Sequence, residues 1–392
     1  MKRVPLVRLA LSDAEVEAAA RVIRSGWITQ GPEVAAFEAE FAAAVGAPHA
    51  VALANCTVAL ELSLRALGIG PGDEVVTVSH SFVATANAVL AVGARPVFVD
   101  VEADTFGMDP RRLGEALGPR TRAVLCVHQL GIPCDVARIA DLCAARGVPL
   151  IEDAACAIGS EVRDAGGWRR IGRPFGRVAC FSFHPRKVIT TGDGGMITTA
   201  DGEMDGRLRL LRHHGMSVSD TVRHESPRVV FEEYVEAGFN GRMTDLQAAV
   251  GRPQLQRLDA ILGRRRQLAE SLAAALDEHR VLAPPLPRAD ARWNWQSYPA
   301  RLREPFQDRQ RDVLQYLLDH GVVGKRGVTN AHQEPAYAGH DTWRAGPGGL
   351  SVSEQLRDTT VLLPLFHAMD ETESAELMRV LRQLHDDFAR AG

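Results

Sequence analysis

Lys187 closes the run Cys180-Phe181-Ser182-Phe183-His184-Pro185-Arg186-Lys187 and is followed by Thr190-Thr191-Gly192-Asp193-Gly194-Gly195. An apolar strand therefore delivers an amine to a turn between a Ser-x-His cluster and a diglycine. Such an amine condenses with an aldehyde to a Schiff base, and the surrounding hydroxyl and amide donors suit an anionic carbonyl compound. A lysine beside a glycine-rich turn is otherwise an ordinary solvated residue, so this reading depends on finding the rest of a site.

Two further segments supply it. Val148 to Ile151 reads as a short buried strand that runs out at Glu152-Asp153-Ala154-Ala155-Cys156-Ala157-Ile158-Gly159. Ligands of open α/β sheets collect beyond the carboxyl ends of the strands, which directs Asp153 and Lys187 toward one crevice. A carboxylate there pairs with a protonated pyridine nitrogen, while Ala154, Ala155 and Gly159 leave room for a flat ring; the alternative is a plain helix cap. Val51 to Ala54 reads as another strand, with Asn55-Cys56-Thr57 as its turn and Val58 to Leu67 as a helix. The first amides of a helix lack intrahelical acceptors and attract a phosphate, although Asn55 or Thr57 would also serve as an ordinary cap. Lysine, carboxylate and phosphate cradle together point to pyridoxal phosphate.

The elements that must position these groups alternate. Amphipathic helices are expected at 13–24 and 33–45, and strands near 50–54, 74–78, 96–100, 122–127, 148–152, 178–183 and 195–199. Helices such as Asp135 to Arg146 lie between several of them. This order predicts an α/β fold, a mainly parallel sheet flanked by helices. The polar stretch Met216 to Tyr234, containing Asp220, Arg223, His224, Glu225 and Arg228, breaks the pattern and reads as a loop that is either functional or disordered. A long helix is expected from Asp245 to about Leu276. Beyond it, Gln296 to Leu302, Asp308 to His320 and Asp370 to Phe388 suit a small α+β unit, dividing the chain into a large domain at 1–255 and a small C-terminal domain at 256–392. Arg326 and His332 bring donors to a loop of that unit, where solvated charge is the simpler reading.

Composition sets limits. The 392 residues are 46% apolar and 24% charged, enough for two or three cores, and 45 basic against 49 acidic residues leave no nucleic-acid face. No apolar run is long enough to span a membrane, and Met1-Lys2-Arg3-Val4-Pro5 lacks a signal-peptide core, so a cytoplasmic enzyme is expected. Six scattered cysteines with no C-x-x-C pair fit a reducing compartment. No metal is expected, because His128, His184, His213 and His214 lack ligand spacing with those cysteines.

Further segments carry a family resemblance: Gly26-Trp27-Ile28-Thr29-Gln30-Gly31-Pro32, Leu67 to Val75, Phe82 to Val89, Pro96 to Asp100, and Gly238-Phe239-Asn240-Gly241-Arg242-Met243-Thr244-Asp245. With the Asp153 and Lys187 motifs, their order and spacing resemble the DegT/DnrJ/EryC1/StrS pyridoxal-phosphate-dependent sugar aminotransferases over nearly the whole chain. The resemblance implies a fold-type-I transferase. It further implies that Lys187 forms the Schiff base and shuttles the proton, that Asp153 holds the pyridine nitrogen, and that Phe82 stacks on the ring. Cys56, Thr57 and Ser182 would bind the phosphate, and Asn240 would reach it from the second subunit of a homodimer. Two departures stand out: Cys56 replaces a usual Gly in the phosphate turn, and Cys156 replaces a usual His or Gln beside the ring oxygen, where a thiol is a weak donor.

The implied activity is transfer of an amino group, with L-glutamate the expected donor, to a keto group of a nucleotide-linked deoxysugar, as in amino-sugar or antibiotic biosynthesis. A keto-cyclitol acceptor of the aminoglycoside type is the alternative within the same chemistry. A sugar dehydratase using the same cofactor is disfavoured by Lys187, since those relatives carry His there. A non-catalytic sensor on this fold would need a DNA-binding module for which the early onset of the sheet leaves no room.

Overall fold

The computed structural model describes residues 3–164, 166–218, 223–224, 226–339 and 341–391. Among the described residues of the first 199, nine strands are found: β1 (His49–Leu53), β2 (Glu74–Val78), β3 (Arg95–Val99), β4 (Thr121–Val127), β5 (Leu150–Asp153), β6 (Glu161–Asp164), β7 (Gly167–Arg170), β8 (Val178–Ser182) and β9 (Gly195–Thr199). Seven of them, with the short strand Arg344–Ala345, form an 8-stranded sheet in the order β1-β9-β8-β5-β4-β2-β3 and then 344–345. Within it β9 runs antiparallel to both β1 and β8, and the pairings of the others are parallel. The carboxyl ends of β1, β2, β4, β5 and β8 consequently share one edge, and β9 begins at that same edge.

Continuous apolar runs such as Val75-Val76 and Leu125-Cys126 are buried on both faces of the sheet, as helical cover on each side requires. Helix α1 (Asp13–Ser25) and helix α2 (Pro32–Val45) fall where the apolar periodicity puts them. Phe41 of α2 meets Phe181 of β8 at 5.0 Å between ring centroids and Phe183 at 5.6 Å, with Phe37 5.2 Å from Phe183. Each buried ring contributes about 2 kcal/mol, and the cluster clamps the strand that delivers Lys187.

The expected helix from Asp245 to Leu276 is two helices, Asp245–Gln256 and Leu258–Leu276, parted at Arg257 (φ −96°, ψ 5°). Pro253 has no N–H to give its helix, and Arg257 N closes on Gln254 O in a tighter turn at 3.1 Å. Farther along, Leu282–Ala283, Tyr298–Leu302, Thr360–Leu363 and Lys325–Arg326 form a 4-stranded sheet in that order, with helices Gln310–Asp319 and Glu371–Ala391 nearby. A third sheet of 3 strands joins β6 and β7 to Ala291–Arg292, a hairpin that the alternating pattern does not announce.

In the stretch from Met216 to Tyr234, Asp220 and Glu225 lie outside the described residues. Its ends are joined by a Met216–Tyr234 bridge, and Ser217 N donates to Glu233 O at 2.8 Å. Val229 and Phe231 are 84% and 87% exposed, more than any other large apolar side chains described.

Candidate active site

The sheet edge explains the site, because each chemical group sits just beyond a strand's carboxyl end. A cavity of about 590 Å³ opens there, lined by Asn55, Cys56 and Thr57 after β1, Ser81 and Phe82 after β2, and His128 and Gln129 after β4. Asp153 at the end of β5, Cys156 beyond it, Ser182 at the end of β8, and Lys187 complete the chemical wall. Seven of the eight residues expected from sequence thus meet in one cavity. Asn240 does not line it; it lies exposed, bridging to His213.

Asp153 is buried, and its carboxylate accepts the Thr85 hydroxyl at 2.8 Å and the Ala155 amide at 3.1 Å. Burial nonetheless pushes its pKa upward, against those hydrogen bonds and the attraction of Lys187. A cation placed against this carboxylate would remove that penalty, as a protonated ring nitrogen does.

Lys187 Nζ donates to Cys156 Sγ at 3.0 Å. Burial pulls the ammonium pKa down, but Cys156, Cys56 and Asp153 together outweigh it and hold the amine above its ordinary value. Phe82 is 67% exposed although it follows a buried strand, so one ring face is free for stacking.

At the phosphate turn, Asn55 Oδ1 accepts Val58 N at 2.9 Å and caps helix α3 (Cys56–Ala66). Cys56 is the first residue of that helix and is not among the residues with positive φ, so replacing Gly there needs no left-handed backbone. The amides of Cys56 and Thr57 precede the capped donor and face the cavity end of the helix. Gly195 packs against the same turn: a Cβ on it would lie 2.5 Å from the Asn55 carbonyl and 2.8 Å from Cys56 N. β9 packs this closely on the turn because position 195 carries no side chain. Lysine, buried carboxylate, exposed ring and anion cradle fit pyridoxal phosphate.

Sequence spacing missed several contributors. Thr85 sits in the helix Ala84–Ala91, which the sequence reading does not assign, and only the fold brings it onto Asp153. Arg186 and Lys325, ordinary surface cations by sequence, line the cavity. His332 does not; its ring bonds Ser79 Oγ at 2.7 Å and Glu354 at 3.2 Å. The absence of ligand spacing between His128 and the cysteines was misleading, since the fold gathers Cys126, His128 and Cys134 into a buried cluster whose ligand atoms lie within 4.8 Å of one another. There His128 Nε2 meets Glu152 Oε2 at 3.2 Å and Nδ1 meets Cys134 Sγ at 3.7 Å. Glu152 also accepts the amides of Phe175 and Gly176 at 2.6 and 3.0 Å, so the cluster is internally hydrogen-bonded behind the strand that carries Asp153.

This sheet, with a lysine beyond one strand and a carboxylate at the end of the next, defines a fold-type-I pyridoxal-phosphate enzyme. A family model for the DegT/DnrJ/EryC1/StrS aminotransferase family matches residues 10–382. The spore coat polysaccharide biosynthesis protein SpsC of Bacillus subtilis (strain 168) is 36% identical over 372 residues, 94% of each chain. The aminotransferase TlmJ from Streptoalloteichus hindustanus is 36% identical, covers 98% of both chains and superposes with a TM-score of 0.86. The putative sugar aminotransferase Spr1654 from Streptococcus pneumoniae, solved in its PLP form, is 25% identical over 98% of this chain and 99% of its own, with a TM-score of 0.88. The chain belongs to the DegT/DnrJ/EryC1/StrS aminotransferase family and is a pyridoxal-phosphate-dependent aminotransferase.

Proposed function

We propose that this enzyme moves an amino group from L-glutamate to the keto group of a nucleotide-linked deoxysugar, in amino-sugar or secondary-metabolite biosynthesis. The observation that carries it is one cavity holding Lys187, Asp153 and the α3 phosphate cradle. The likeness to a spore coat polysaccharide biosynthesis protein supports a sugar acceptor.

Pyridoxal phosphate bound here would supply an electron sink for the reacting carbon. Lys187 contributes the amine that holds the cofactor aldehyde and then moves a proton at the reacting carbon. The Asp153 carboxylate keeps the ring nitrogen protonated, which its burial and its hydrogen bonds from Thr85 and Ala155 orient it to do. The Cys56 and Thr57 amides, with the Thr57 and Ser182 hydroxyls, bind the phosphate, and Phe82 covers a ring face. Cys156 lies beside Lys187, where a His or Gln would donate more strongly.

The working unit in this reading is a homodimer with shared active sites, in which Asn240 reaches the partner's phosphate. Its exposure outside its own cavity supports that role, as do the exposed Val229, Phe231, Tyr234, Val235 and Phe239 on the same segment. Residues 1–255 would form the cofactor-binding domain and 256–392 the small domain over the cleft. Six free cysteines support a reducing, cytoplasmic setting; no described helix is long and apolar enough to cross a membrane.

Mixing the holoenzyme with L-glutamate alone tests the reading. Loss of the cofactor's visible band with stoichiometric 2-oxoglutarate is expected; an unchanged band without 2-oxoglutarate would rule out the donor.

A further inference from the structure

Arginines of this chain are commonly paired: Arg8 with Glu373, Arg252 with Glu33 and Glu40, Arg344 with Glu74. Against that background the cations of the cavity are unusual. Arg186, which follows β8, and Lys325, on the outer strand of the 4-stranded sheet, both line it and both remain exposed. Neither they nor Arg326 forms an ion pair among the described residues. The acids that line the cavity are Asp153, buried and already hydrogen-bonded, and the exposed Asp193. Burial lowers the Lys325 pKa, and repulsion from Arg186, Arg326 and Lys187 lowers it further. Like charges gathered at a cavity mouth without a counterion are relieved when an anion arrives.

Cofactor phosphate does not explain these cations, because its proposed cradle, the amino end of α3 with the Ser182 hydroxyl, includes neither of them. Arg186 comes instead from the β8–β9 connection, where Gln296 Nε2 fixes its carbonyl at 2.8 Å. Lys325 is fixed by pairing with Leu362, itself a lining residue. Backbone anchoring of two long side chains from different elements is the arrangement expected of a subsite. In a ping-pong cycle the two substrates occupy the same space in turn, and both are anionic. We propose that Arg186 and Lys325 form one anion-recognition subsite, used first by a carboxylate of the amino donor and then by the phosphoryl groups of the acceptor. This rests on the substrate pair proposed above.

The experiment measures two quantities on the holoenzyme: the glutamate dependence of the cofactor's conversion, and calorimetric binding of uridine 5′-diphosphate, with inorganic pyrophosphate as a second probe. Wild type should bind the diphosphate, and the diphosphate should compete with glutamate. Arg186→Ala and Lys325→Ala should each raise the half-saturating glutamate concentration and weaken the diphosphate by about tenfold, with little change in the maximal rate, while Arg186→Lys and Lys325→Arg retain most binding. Weakening of the diphosphate with unchanged glutamate saturation would overturn the shared use, and unchanged values for both would overturn the subsite. Should wild type ignore glutamate altogether, the donor assignment fails; loss of diphosphate binding in the alanine variants would still support the subsite, and its retention would refute it.

Discussion

Gly195 opens β9 so close to the Asn55–Cys56 peptide that a Cβ there would lie 2.5 Å from the Asn55 carbonyl carbon and oxygen. The obstructing atoms are backbone atoms of the phosphate turn, so relief requires moving the turn itself. Gly195→Ala should therefore cost about 1–3 kcal/mol of stability and weaken pyridoxal phosphate retention more than tenfold. Equilibrium dialysis of the cofactor, beside a denaturant titration, checks both effects.

Lys187 lines the cavity, and its Nζ donates to Cys156 Sγ at 3.0 Å. Lys187→Ala should abolish the visible band of the lysine-bound cofactor and lower turnover by roughly a thousandfold or more. The far-ultraviolet dichroism should stay unchanged. A retained band would remove the central assignment.

Asp153 offers a prediction with a defined pH sign. Its folded pKa lies above the ordinary carboxylate value because of burial. The stabilising contribution of a raised carboxylate is present below its unfolded pKa and is lost as pH rises through the folded pKa. Apo Asp153→Asn, which carries no buried charge, should thus gain in thermal midpoint over the wild-type apoenzyme as pH rises from about 4 to 7. The same variant should lose most transaminase activity, since an amide does not hold the ring nitrogen protonated. Equal midpoints across that range would mean that the carboxylate is not held against its burial.

Much of this was legible in the chain. Strands with continuous apolar runs, such as Val75-Val76 and Ile151, and helices with clear caps were readable because burial and periodicity are local signals. Asp153, Lys187 and the Asn55–Thr57 turn were readable because each follows such a strand. Contacts that depend on distant segments left no pattern: Thr85 reaches Asp153 across 68 positions, and His128 meets Glu152 across 24. The break at Arg257 was hidden for another reason, as apolar spacing continues through it and only Pro253 marks the lost amide. Arg344–Ala345 pairs with β3 over two residues, too few for a sequence pattern.

Asn240 lies outside its own chain's cavity, which makes its contribution testable by mixing subunits. Asn240→Ala should raise the cofactor dissociation constant about tenfold, as loss of a hydrogen bond to a charged group does. Co-expression with Lys187→Ala should give hybrid dimers that carry one site with both residues intact, and activity should recover to roughly half per hybrid. Unchanged retention in Asn240→Ala would remove the shared site.

The pairing of Lys187 with Cys156 leads to a last expectation. Burial alone drives an ammonium toward its neutral form, yet in this site the lysine pKa is raised, and Cys156 heads the influences that oppose burial. Only the neutral amine attacks the cofactor aldehyde, so the sulfur restrains loading of the apoenzyme near neutral pH. Cys156→Ala should leave burial less opposed and lower the Lys187 pKa. The pH of half-maximal loading rate, followed by the visible band after mixing apoenzyme with pyridoxal phosphate, should move downward. Cys156→Ser should fall between the two, because a hydroxyl keeps an acceptor for the Lys187 ammonium that alanine removes. An unmoved profile would mean that the thiol at 156 does not set the basicity of Lys187.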